Sequence, residues 1–318
     1  MSGKQLARLA LVLVVLLLLW GAAALARRRE TVDTSDHFKL PKISRDQVDS
    51  IRITRAADTT LLVRQDSMGW RVNGHPASKA SVADLLTALE DTAPEAELVA
   101  QRAASHAGLG VDSATGAHAQ IIAKGKVLAD LFSGHQTRDM DGGYLRYAGK
   151  NETYAVHGRL SELLGRSADE WRDHRIGAVA GDSVGSIELT RGRRSYTVKR
   201  GVKGWNLTSG GPADSASLAS LLGALSQVEA TGFANGAQAD SAKFSPPDRR
   251  LRVLRKDGTP LLALVFDSTA SGFWVRSDTG GTIYRMESWA ADRITPADTS
   301  LKVKKPGVTK KPDVTKKK

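Results

Sequence analysis

No cysteine occurs in the 318 residues of this chain. That excludes disulfides, thiolate metal sites, a cysteine nucleophile and a lipidated N-terminal cysteine. The compartment stays open, because a chain long enough for a real core folds outside the cell without disulfides. Clustered histidine is missing as well. His37, His75, His106, His118, His135, His157 and His174 are widely spaced, so no local pair of metal ligands exists. The phosphate-loop pattern Gly-x-x-x-x-Gly-Lys-[Ser/Thr], His-Glu-x-x-His and Gly-x-Gly-x-x-Gly are all absent. Asp139-Met140-Asp141-Gly142-Gly143 resembles the opening of a calcium loop. It lacks the later oxygen ligands and closing glutamate of an EF-hand, so between two predicted strands it reads as a hairpin turn. No catalytic, cofactor-binding or metal-ligating residue is assigned, no cofactor is implied, and a non-enzymatic protein is expected.

What is present is a repeat. Val48-Asp49-Ser50-Ile51-Arg52-Ile53-Thr54, Gly69-Trp70, Pro76-Ala77 and the leucine stripe Val82, Leu85, Leu86, Leu89 recur. Their counterparts are Val184–Thr190, Gly204-Trp205, Pro212-Ala213 and Leu218, Leu221, Leu222, Leu225. The offset is 136 residues throughout, and one fewer at the Gly-Trp pair. Self-similarity at fixed spacing is the mark of a duplicated structural unit.

The net charge of +12 would ordinarily suggest nucleic acid. Its position argues otherwise. Lys4, Arg8 and Arg27-Arg28-Arg29 flank an uncharged run, Leu9–Ala26, and the segment after Leu301 is rich in lysine. Eighteen apolar residues suffice to cross a bilayer. The run is read as a membrane anchor, the competing reading being a signal peptide cleaved after Ala24-Leu25-Ala26. Basic residues are nearly balanced across it, which leaves orientation open. The Lys/Pro-rich end has too few large apolar residues for a core and is expected to be disordered. The expected divisions are 1–8, an anchor at 9–26, a spacer at 27–44, unit one at 45–178, unit two at 179–299 and a tail at 300–318.

Alternation at Ile51 and Ile53, then Leu61-Leu62-Val63, predicts a hairpin; Trp70 and Val72 supply a third strand before the Asn73-Gly74 turn. A helix over about Ser81–Thr92 follows, with Ser78 or Ser81 as cap. Strands are predicted at Ala119–Ala123, Val127–Phe132, Tyr144–Tyr147 and Thr153–Val156, then a short helix through Leu160, Leu163 and Leu164. The second unit repeats this plan, with a helix over about Ser215–Val228 and strands at Leu251–Leu254, Leu261–Phe266, Phe273–Arg276 and Thr282–Arg285. Its closing Trp289-Ala290-Ala291-Asp292-Arg293-Ile294 aligns with Trp171–Ile176, and the short helix between is expected to be missing. The fold class is therefore α+β: two tandem repeats of mostly antiparallel sheet, each with one main amphipathic helix, after an N-terminal transmembrane helix. Trp70, Trp171, Trp205 and Trp289 are expected in the core or between the units, and Arg172-Asp173-His174-Arg175 in an ion-paired seam.

In this order, the motifs resemble a bacterial family known as domain of unknown function 4340. The likeness rests on Val-x-x-Ile-x-Ile, Gly-Trp, Pro-Ala before a leucine-rich helix, Gly108-Leu109-Gly110 and Trp171-Arg172-Asp173-His174-Arg175, over residues 45–297. The second unit departs from it, with Ala290-Ala291 in place of an Arg-Asp pair and no Gly-Leu-Gly before Pro246-Pro247. The resemblance implies a single-pass inner-membrane protein with an extracytoplasmic domain, acting as a non-enzymatic accessory or scaffold beside ABC-transporter subunits. No nucleic acid is expected as partner. The alternative is a binding module for a cell-envelope polymer or small ligand.

Overall fold

The computed structural model describes residues 38–65 and 69–303. The expected anchor at Leu9–Ala26 and most of the lysine-rich tail lie outside them. Among the described residues no helix is long and apolar enough to cross a membrane. The chain divides into two compact units, one ending at Asp173 and the other starting at His174. Each has its own hydrophobic core.

In the first unit the strands are β1 (Ser50–Arg55), β2 (Asp58–Gln65), β3 (Gly69–Val72), β4 (His75–Pro76), β5 (Ala96–Ala100), β6 (Ala117–Ala123), β7 (Lys126–Gln136), β8 (Gly142–Tyr147) and β9 (Thr153–His157). Its helices are α1 (Lys79–Glu90), α2 (His106–Leu109), α3 (Leu160–Leu164) and α4 (Ala168–Trp171). The strands form one nine-stranded sheet in the order β4-β3-β2-β1-β6-β7-β8-β9-β5. Every pairing in it is antiparallel. Strand β5 follows α1 in sequence yet closes the far edge against β9, a connection that local periodicity does not reveal.

Local chemistry explains most of these elements. Ile51 and Ile53 face the core while Arg52 and Thr54 face away, as the pleat requires. Asn73 (φ 46°) and Gly74 (φ 83°) both take the left-handed conformation of a two-residue hairpin turn. The Asn73 side chain fixes that turn by accepting from Leu61 N at 2.8 Å and donating to Thr59 O at 2.9 Å. Helix α1 starts at Lys79 because Ser78 Oγ accepts the Ser81 N–H, and it buries Val82, Leu85, Leu86 and Leu89. Gly108-Leu109-Gly110 ends α2 with Gly110 at φ 70°, which sets the Leu109 carbonyl against β7 where only Gly134 leaves room.

The second unit has β10 (Arg175–Gly177), β11 (Ser186–Arg191), β12 (Arg194–Gly201), β13 (Gly204–Leu207), β14 (Val228–Glu229), β15 (Gly232–Phe233), β16 (Arg249–Leu254), β17 (Pro260–Ser268), β18 (Gly272–Ser277) and β19 (Gly280–Glu287). Its helices are α5 (Ser215–Leu225), α6 (Gly236–Ser241) and α7 (Ser288–Ile294). The main sheet runs β13-β12-β11-β16-β17-β18-β19-β15, the order of the first sheet without its short edge strand β4, and β10 pairs separately with β14. Both units are thus α+β, largely antiparallel, with few helices. Helix α5 is capped by Asp214, whose carboxylate accepts from Ser217 N at 2.9 Å. It stops at Leu225, short of the expected Val228, because Val228 is drawn off into β14.

Three expectations change. The spacer ends earlier than residue 44: Phe38, Leu40 and Ile43 belong to the first core. Phe38 stacks on Tyr147 at 5.5 Å, and Leu40 N donates to Thr92 O at 3.0 Å. At the other end Leu301 is 1 % exposed, so the second unit runs past residue 299.

The third change concerns the closing motif. Helix α7 lies against α5 and the last two strands of its sheet, as α3 lies against α1 and β8–β9. It fills the place of α3, so the short helix is present. The true counterpart of Trp171 is Leu301. Ser78 N donates to Trp171 O at 2.8 Å, and Asp214 N donates to Leu301 O at 2.8 Å. Ala77 bridges Arg172 where Ala213 bridges Lys302. Matching Trp289 with Trp171 followed letters; the backbone bonds follow another register.

Candidate functional site

The four repeated tryptophans have different fates. Trp171 is fully buried in the first core. Trp70 and Trp205 are half-buried, each under an arginine: Arg64 at 5.3 Å and Arg200 at 4.8 Å from the ring centroids. Those arginines are themselves 136 residues apart, so the cation–π pair belongs to the repeat. Trp289 alone of the four is exposed, at 62 %, so of the two places expected for it the core is excluded.

The polar residues named from sequence are held by structural bonds. Arg172 pairs with Asp169 of its own unit at 3.2 Å, and the His174 ring meets Ala230 O at 3.2 Å. Asp139–Gly143 forms the β7–β8 turn. A Cβ on Gly142 would lie 2.1 Å from Val156 O, and one on Gly272, at the same place in the second sheet, 2.4 Å from Met286 O. Gly142 therefore answers to strand packing, and Gly143 to the close approach of Ser161 in α3. Among the described residues no group of His, Asp and Glu is arranged to hold a metal ion. Gly181-Asp182-Ser183-Val184-Gly185 spells the Gly-x-Ser-x-Gly pattern of hydrolase elbows. It is a single 3-10 turn leading into β11, not the strand-to-helix turn that exposes a nucleophile. Ser183 Oγ merely faces Asp182 Oδ1 at 3.4 Å.

A pocket recurs at one place in both units, between the first hairpin's turn and the segment that follows the short helix. In the first unit it holds about 420 Å³ and is lined by Arg55, Asp58, Thr59, Thr60, Asn73, Arg166, Ser167 and Asp169, among others. Two basic side chains there meet two acidic ones. In the second unit it holds about 500 Å³, and its wall is Arg191, Arg193, Arg194, Ser195, Tyr196, Ser209, Ala297 and Asp298. The hairpin residues correspond at the 136-residue offset, so Arg194 stands where the first unit has Asp58, and Tyr196 where it has Thr60.

The second pocket is built by its neighbours. The Tyr196 hydroxyl donates to Pro296 O, which ties the hairpin to the closing segment. Burial pushes its pKa up, so it stays protonated at any physiological pH. Asp298 is held below the ordinary carboxylate range, first by its hydrogen bond to Lys302, 2.9 Å away. Arg191 and Arg249 share Asp292, at 3.1 and 2.6 Å. Arg249 also lies 4.2 Å from the centre of the Phe273 ring.

These arginines escape a reading of overall charge. Outside the two basic flanks the chain sums to near neutrality, yet residues 38–173 carry seventeen Lys and Arg against eighteen Asp and Glu, while 174–303 carry seventeen against twelve. Counting charge by unit is the signal that finds them.

Trp289 borders a separate groove of about 350 Å³ within the second unit. Gly223 and Ala224, small residues near the end of α5, leave it open. Met286, Val228 and Ile294, buried in the second core, lie beneath it, and Glu229 and Arg293 form the polar edge.

Residues 70–251 match the sequence model of a family described as a domain of unknown function, DUF4340. No curated protein and no solved structure matches the chain.

Proposed function

This chain belongs to the DUF4340 family, and from that premise we propose that it is a non-enzymatic, membrane-anchored accessory protein that binds a protein partner. The anchor is Leu9–Ala26, set in a bacterial inner membrane, and the folded units stand on the extracytoplasmic side. The partner is a membrane-complex component such as an ABC-transporter subunit. The observation that supports this most is Trp289, 62 % exposed beside an open groove. Tryptophan is enriched at the centres of protein interfaces, where its large surface is desolvated on binding. A core role would not leave it in water.

The test is co-purification of the full-length protein, tagged at its C-terminus and extracted from membranes in mild detergent. The expected outcome is a stoichiometric companion, identified by mass spectrometry, that is lost in Trp289→Ala. A protein that comes out alone, or a companion retained by the variant, overturns the proposal. The pocket repeated in both units favours a second reading, a binding module for a cell-envelope polymer or small ligand.

A further inference from the structure

We propose that the basic pocket of the second unit is a binding site for a phosphate group carried on a larger molecule. The proposal is independent of any protein partner at Trp289, which lies on another pocket of the same unit.

Three arginines line the site from one hairpin, Arg191 before its turn, Arg193 within it and Arg194 after it. Arginine's planar fork donates two parallel bonds to an oxyanion, which suits phosphate better than a lysine cluster would. Arg191 is engaged with Asp292, but Arg193 and Arg194 make no ion pair among the described residues. Asp298, the acid of the wall, already faces Lys302 at 2.9 Å. The wall therefore carries three guanidinium groups against one carboxylate, which is itself paired with Lys302. The hydroxyls of Ser195 and Ser209 lie on the same wall, where Ser195 Oγ meets Thr190 Oγ1 at 3.0 Å and Ser209 bonds Asp298. At about 500 Å³ the space falls within the ~300–1,000 Å³ usual for small-molecule sites. A bare phosphate would leave much of it empty.

The first unit supplies an internal control. The same hairpin there reads Arg55-Ala56-Ala57-Asp58, where the second has Arg191-Gly192-Arg193-Arg194. One backbone design thus carries a charge-balanced pocket in one unit and a cationic pocket in the other. Structural need alone does not call for Arg193 and Arg194, because the first hairpin forms with Ala57 and Asp58 in their places.

Such a phosphate has two sources, a soluble phosphorylated compound or the headgroup of an anionic lipid. The experiment titrates inorganic pyrophosphate into full-length protein in detergent, by calorimetry at moderate salt. The wild type is expected to show saturable binding. The double variant Arg193→Glu, Arg194→Glu is expected to weaken it at least tenfold, and Arg55→Glu at the equivalent hairpin of the first unit to leave it unchanged. Both altered hairpin arginines are exposed, and an unchanged unfolding midpoint confirms the fold. No saturable binding, or equal affinity in the double variant, overturns the proposal; so does an equal loss in Arg55→Glu. A flotation assay then assigns the source, comparing phosphatidylglycerol with phosphatidylcholine vesicles at 150 mM salt (a generic condition, about 8 Å of screening). Anionic-vesicle binding that falls in the double variant identifies a lipid headgroup. Vesicle binding that persists through the lysine-rich end, alongside lost pyrophosphate binding, identifies a soluble phosphate compound.

Discussion

The two units close in the same way with different side chains. In the first, the last segment brings Trp171 beneath the start of α1; in the second, Leu301 comes beneath the start of α5. Both carbonyls accept from the residue that caps the helix, so the slot is set by backbone geometry and by the volume the core leaves free. Side-chain identity is secondary to that geometry, because any large apolar group that fills the space satisfies it. The hairpin pockets teach the complementary lesson. There the backbone is again shared, but the residues at the rim face water. Nothing in the packing restrains their charge, and Ala57 and Asp58 in one unit stand against Arg193 and Arg194 in the other.

The largest expected effect tests the slot. Trp171→Ala should cost about 3–5 kcal/mol and Leu301→Ala about 2–5 kcal/mol, each for the unit it occupies. Hydrogen exchange resolved by peptide reads the two separately. If Leu301→Ala leaves protection of 174–303 unchanged, the equivalence of the two closures fails.

Next come the caps. Ser78→Ala and Asp214→Ala should each cost about 1 kcal/mol, measured by chemical denaturation. The aspartate should cost more, since its carboxylate also accepts from Ser217 Oγ at 2.8 Å and complements the helix dipole. Equal or reversed costs would show that the Ser217 Oγ bond and the carboxylate charge add nothing to the cap.

The smallest effect is a pH dependence confined to one unit. His75 has its pKa lowered, first by desolvation and then by Arg172 and Arg71. The folded first unit therefore disfavours protonated His75. Its contribution to stability is intact above the unfolded value of about 6.5 and is lost as pH falls from there through the lowered folded value. The repeat places Gly211 at the corresponding position, so the second unit lacks this dependence. Amide exchange around β3–β4 should speed up on acidification in the wild type and much less in His75→Asn. An unchanged pH response in that variant would remove His75 as the cause.

The hairpins, the caps and the leucine stripes were legible because neighbouring residues decide them. Ile51 and Ile53 set the pleat, Asn73-Gly74 accepts left-handed backbone, and Val82, Leu85, Leu86 and Leu89 share one helical face. The expected strands recur within a few residues of the observed ones for the same reason. The site was less legible. Arg191, Arg193 and Arg194 are close in sequence, but their pocket is completed by Ala297 and Asp298, about a hundred residues later. Trp289 was misplaced because a short letter match took precedence over the helix packing that governs its position.

By itself, the sequence determined that the protein is built twice, from antiparallel hairpins and one apolar-faced helix per unit, since periodicity and turn chemistry act over a few residues. Only the tertiary structure decided that Phe38 and Leu301 belong to the cores, that β5 closes the far edge, and that Trp289 lies in water. Those outcomes depend on hydrogen bonds and volumes shared between residues far apart in the chain, which no local pattern encodes.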